Sequence, residues 1–178
     1  MTTTPSRLTS FRERKDQYYG SDPHSPLSEA QRTAFTGMRY YDERPDLVFE
    51  LPIDSSGEDV GEHLEMPTSD GQAKHYVRAG RIRFEADGQP VTLTVFKDVE
   101  RGRYFLPFRD GTSGKDTYGA GRYLDPKTRP DGTLVVDFNY AYNPYCAYGE
   151  GWSCPIPPLE NFARPKIEAG ERRFHDDD

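Results

Sequence analysis

Cysteine occurs only twice in this chain of 178 residues, lysine six times and tryptophan once. Two cysteines cannot build the disulfide framework of a small secreted domain. No apolar run approaches the ~20 residues needed to cross a bilayer as a helix. The start, MTTTPSRLTSFRERKD, lacks the apolar core of a secretory signal, so a cytoplasmic location and no membrane partner are expected. Hydrophobic residues are also scarce, at 34%, with a mean hydropathy of -0.90. Aromatic rings have to supply much of the core. Twelve Tyr and ten Phe do so economically, since each large ring buries roughly 150–250 Å².

Basic charge is carried by 17 Arg, against 17 Asp and 13 Glu, for a net charge of -7. A negative field argues against non-specific nucleic-acid binding, which needs clustered cations. The length suits one domain with tails. The expected organisation is an N-terminal helical segment over 1–45, a β domain over 46–172 and a tail over 173–178. Residues 8–19 suit a short helix, capped by Ser10 or Thr9 with Glu13 completing a capping box, and Ser28 suits the start of a second. Both precede all the strands, as a lid would. Leu47–Ile53 reads as a strand and 54–63 as an exposed loop. The alternation of Ile82 and Phe84, then Val91, Leu93 and Val95, reads as a hairpin around Asp87-Gly88. RYFLPF and TLVVDFNYAY read as further strands, and no amphipathic helix follows residue 35. The fold class expected is mainly β: an antiparallel barrel or sandwich with short N-terminal helices.

Two segments concentrate polar chemistry. FLPFRDGTSGKDTYGAGRYLD sets Arg109, Asp110, Ser113, Lys115, Tyr118 and Arg122 among four glycines. It is not a phosphate-binding P-loop, which would need Gly at 109 and Ser or Thr at 116, where Arg109 and Asp116 stand. Nor is GAGRYLD a dinucleotide fingerprint. Either the charges satisfy one another, Arg109 with Asp110 or Asp116 and Arg122 with Asp125 or Asp137, or Arg109, Lys115 and Arg122 face an anion. In DFNYAYN, a strand would put Asp137, Asn139, Ala141 and Asn143 on one face and Phe138, Tyr140 and Tyr142 on the other. Inside a barrel that polar face meets the arginines, and Tyr148 lies just beyond it.

The Cys146–Cys154 pair could be two packed thiols, a disulfide, half a metal site or a nucleophile. Metal binding lacks further ligands, because His24, His63, His75 and His175 stand apart in sequence without ligand spacing. A nucleophile lacks a nearby base. The structural reading is preferred, no metal is expected, and no cofactor is specified.

PFRDGTSGKDTYGAGRYLD, VVDFNYAYNPYCAYGEGWSCPIPPLEN and IEAGER, in that order and spacing, resemble the bacterial and archaeal family named domain of unknown function 1684. The resemblance is strong over roughly 78–172 and looser upstream. Gly111 and Asp116 depart from the pattern, where Ala and Glu are usual. The resemblance implies a small β-rich domain with polar signature segments, and it supplies no catalytic residues. A signature so polar favours a site. The leading expectation is a cavity binding a small polar or anionic molecule through Arg109, Ser113, Lys115, Arg122, Asn139, Asn143 and Tyr148. An enzyme using Asp137, Asp110 and Tyr118 for acid–base chemistry comes second. A module docking a protein through the aromatic, proline-rich segment 140–162 comes third.

Overall fold

A computed structural model describes residues 4–176. Ser6, extended after Pro5, accepts the Thr9 amide at 3.1 Å and opens helix α1, Arg7–Ser21. The cap therefore lies upstream of Ser10 and Thr9, which fall inside the helix. Ser28 and Gln31 exchange hydrogen bonds in a capping box and open α2, Glu29–Ala34. Every later helical turn among the described residues is a three-residue 3-10 turn.

Eight strands follow. They are β1 Val48–Leu51, β2 His63–Pro67, β3 Ala73–Ala86, β4 Gln89–Asp98, β5 Tyr104–Phe108, β6 Arg122–Leu124, β7 Lys127–Thr128 and β8 Leu134–Asp137. They form two antiparallel sheets, β1-β8-β7 and β2-β3-β4-β5-β6, the larger curled into a half-barrel. The β3–β4 hairpin turns at Asp87 (φ 51°) and Gly88 (φ 70°), the positive-φ pair that matches strand twist. A bulge between Arg78 and Gly80 bends β3, and Asp54 pairs with Arg81 there, its carbonyl oxygen 2.6 Å from where a Cβ on Gly80 would stand. Only glycine admits that approach.

The curled sheet is buried on both faces. Leu93, Val95, Leu106, Phe108 and Leu124 meet Leu134 and Val136 of the smaller sheet, while the neighbouring Phe96, Phe105 and Tyr123 point the other way onto Met66 and Tyr76. The C-terminal residues Ala163, Ile167 and Ala169 pack into the first of these cores. A third cluster, Tyr19, Leu27, Met38 and Tyr148, sits beneath the helices. No helix among the described residues is long and apolar enough to cross a membrane. The last two residues of the expected tail, 177 and 178, lie outside the described residues.

Candidate functional site

The polar signature residues separate into three buried groups. In the first, Asp110 Oδ1 accepts from Thr112 Oγ1 (2.7 Å) and Ser113 Oγ (3.3 Å), and Oδ2 accepts from the Ile167 amide (2.5 Å). Arg122 lies 3.5 Å from Asp110 and donates to the carbonyls of Ile167, Ala169 and Glu171, with Phe108 under its guanidinium. Burial pulls its pKa below that of a free guanidinium. Two residues thus hold the C-terminal segment to the barrel, and the partner of Arg122 is Asp110 rather than Asp125 or Asp137. Asp110 wins because its turn folds under β6, where desolvation makes pairing obligatory.

The second group follows an early end to β8. Asp137 Oδ1 accepts the amide and the side-chain nitrogen of Asn139, both at 2.9 Å, and turns 138–140 into a 3-10 turn. The expected alternation through Asn143 therefore stops at Asp137, and Phe138 and Asn139 are both buried. Asn139 also exchanges hydrogen bonds with the backbone of Arg44.

The third group was not legible as a site. Glu171 forms a buried ion pair with Lys15 of α1 and accepts from the Asn143 amide (2.9 Å) and Tyr148 hydroxyl (3.4 Å). Tyr19 and Tyr142 lie under the Lys15 ammonium, and burial first, then Glu171, pushes the Tyr148 pKa well up. Arg12 of the same helix donates to the carbonyls of Tyr41 and Asn139.

The expected cations do not converge. Arg122 is enclosed, Lys115 is exposed in the turn, and Tyr118 stands near Tyr123. Arg109 alone reaches an open depression. Together with Pro67, Ile156, Pro157, Pro158, Leu159 and Phe162 it lines an apolar groove of about 360 Å³. Its Nε is buried without a hydrogen bond, and among the described residues no ion pair or hydrogen bond engages its guanidinium. The groove is built by close approach: a Cβ on Gly121 (φ +105°) would stand 2.5 Å from the Phe108 carbonyl and 3.0 Å from Pro157.

Its outer wall is held rigidly. Asn161, fully buried, accepts the Thr94 amide (2.8 Å) and donates to the carbonyls of Thr94 and Pro107 (2.8 and 2.9 Å). Glu160 accepts from Thr94 Oγ1 at 2.7 Å and pairs with Arg78 at 2.8 Å; burial works against its charge, yet these bonds hold it below the usual carboxylate range. On either side of these anchors, Leu159 is 93% exposed and Phe162 54%.

Cys146 and Cys154 are free thiols. Ser69 Oγ lies 3.1 Å from Cys146 Sγ and accepts the Cys154 amide at 3.1 Å. Burial, with the neighbouring Cys146, raises the Cys154 thiol to about 11, which suits a packed thiol rather than a nucleophile. Tyr145, just before Cys146, and Trp152 of the loop between the cysteines meet edge to face at 5.0 Å and are partly exposed.

Three comparisons bear on this arrangement. The family described as "Protein of unknown function (DUF1684)" matches residues 33–172. The solution structure of an uncharacterized protein from gene locus rrnAC0354 of Haloarcula marismortui is similar at 34% identity, with a TM-score of 0.70, over 96% of this chain and 94% of that one. No curated protein matches.

Proposed function

The chain belongs to the DUF1684 family of proteins of unknown function, and we propose that it is a binding domain for a small molecule that joins an apolar body to one anionic group. The ligand lies in the groove between Pro67 and Pro157–Phe162, with its anion on Arg109. One observation carries this reading: a guanidinium with a buried, unbonded Nε stands in the wall of an otherwise apolar groove. A few convergent polar groups in a mostly apolar depression is the usual form of a ligand site, and charged partners give the strongest hydrogen bonds. The volume, about 360 Å³, suits a small molecule. Acid–base catalysis is the weaker reading, because Asp110 and Asp137 already accept hydrogen bonds from their own chain.

Phenylacetate and cyclohexanecarboxylate, each beside its neutral amide, are the probes. In ¹H–¹⁵N spectra the acids should shift amides at Arg109, Leu159 and Phe162, and Arg109→Gln should weaken them at least tenfold. Equal binding of acid and amide, or shifts elsewhere, would overturn the assignment. The exposure of Leu159 and Phe162 favours a second reading, a protein that docks on this wall. In that case the small acids leave the groove unmoved.

A further inference from the structure

We propose a second site, independent of the groove: a surface site for a divalent transition cation on the β2–β3 ribbon, ligated by His63 and His75. The two histidines are twelve residues apart and share no ligand spacing, but strand pairing brings them together. His63 stands opposite Val77 and Glu65 opposite His75, so His63, Glu65, His75 and Val77 project from one face of the ribbon. The other face carries Leu64, Met66 and Tyr76 into the core. The histidine face is therefore directed outward, across the edge strand β2 and its neighbour β3, and both residues are exposed.

His63 Nδ1 lies 3.0 Å from His75 Nε2, and the rings meet edge to face at 70°. In the free protein one imidazole donates its proton to the other's lone pair. Neither ring is engaged by any other side chain among the described residues. A metal ion in place of that proton is close to the geometry already present. Two bonds of about 2.0–2.1 Å that subtend about 95° span about 3.0 Å. That angle suits a tetragonal cation of the Ni²⁺ or Cu²⁺ type, while a regular tetrahedron, as preferred by Zn²⁺, needs nitrogens about 3.3 Å apart. Small ring rotations direct both lone pairs at one point, because the side chains are free of packing on their outer side.

Among the described residues no third side chain of His, Cys, Asp or Glu converges here, so water completes the shell. Glu65, directly across the ladder from His75 and in no salt bridge among the described residues, is the carboxylate placed to swing in as a further ligand. Imidazole with carboxylate and water is a donor set suited to Ni²⁺ and Cu²⁺.

The test uses the full chain without an affinity tag, in a non-chelating buffer, with Ni²⁺ as the probe. Equilibrium dialysis should give one tightly held Ni²⁺ per chain. His63→Ala and His75→Ala should each weaken it at least tenfold, and Glu65→Gln by a smaller factor. His24→Ala, in the α1–α2 linker, should bind like the parent. Paramagnetic broadening in ¹H–¹⁵N spectra should begin at amides of 63–65 and 75–77. Because the substituted positions are exposed, circular dichroism should show each variant folded. Binding that survives both histidine substitutions, broadening centred elsewhere, or no bound Ni²⁺ at a hundredfold micromolar excess would each overturn the site. Loss of the groove's response to acids would leave it untouched.

Discussion

At the scale of the residue, the molecule spends its signature charges on its own chain. Asp110 and Arg122 are both enclosed, and four hydrogen bonds of the pair go to the backbone of 167–171. Removing one partner strands a buried charge, which typically costs about 3–5 kcal/mol, whereas removing both costs far less. Asp110→Ala should therefore lower the unfolding free energy in urea by about 3–5 kcal/mol, and Asp110→Ala with Arg122→Met should recover part of that loss. A single-variant loss under about 1 kcal/mol would mean that water reaches the pair. Arg109 is two residues from β5's buried Leu106–Pro107 stretch yet behaves oppositely, because its side chain turns to the groove and meets no carboxylate among the described residues. The two arginines are alike in sequence context and differ only in what the chain folds against them.

Among the elements, the Pro157–Phe162 segment shows how a short irregular stretch can be rigid. Pro157 and Pro158 stiffen its start, Asn161 replaces a missing strand by bonding Thr94 and Pro107, and Glu160 fixes its edge to Arg78. Asn161→Ala leaves the Thr94 amide and two carbonyls without their partner, a cost of about 1–3 kcal/mol by thermal or urea unfolding. Leu159→Ser, at a side chain that is almost wholly exposed, should change stability by no more than about 0.5 kcal/mol and still weaken whatever occupies the groove. The contrast between these two variants separates the frame from the surface it displays. Helix α1 is attached by the same logic: Lys15 and Arg12 reach Glu171 and the carbonyls of Tyr41 and Asn139. The helix therefore covers the C-terminal segment that Arg122 holds from the inside.

Over the whole molecule, tyrosine contributes rings to two of the three cores and sets the response to alkaline pH. Eight of the twelve tyrosines have pKa values raised by burial above the ordinary value of 10, with Tyr41 and Tyr76 pushed up to about 12. A group whose pKa is raised by folding stabilises the fold while it stays neutral, and that stabilisation disappears as it ionises. The contribution is complete below about pH 10, the unfolded value, and is lost as pH rises towards 12 and beyond. Absorbance at 295 nm should show these eight rings still neutral at pH 10. Their ionisation should be late and cooperative, and should coincide with loss of circular dichroism. Ionisation of all twelve in one early phase would show that the rings are not enclosed.

The sequence by itself determined the mainly β class, the two short N-terminal helices, the Asp87-Gly88 hairpin and the family, because capping boxes, positive-φ turns and strand alternation are local signals that neighbouring residues carry. It also marked Arg109, Asp110 and Arg122 as residues of consequence. Their separation into an open groove and a closed ion pair was decided by tertiary structure alone, since it depends on where residues 155–171 return to the barrel. The same is true of Asp137, which reads as the middle of a strand but ends it by bonding Asn139, and of Lys15 with Glu171, separated by nearly the whole chain. His63 and His75 stand apart in sequence and face each other at 3.0 Å because antiparallel register, not spacing, sets which side chains meet across a ladder.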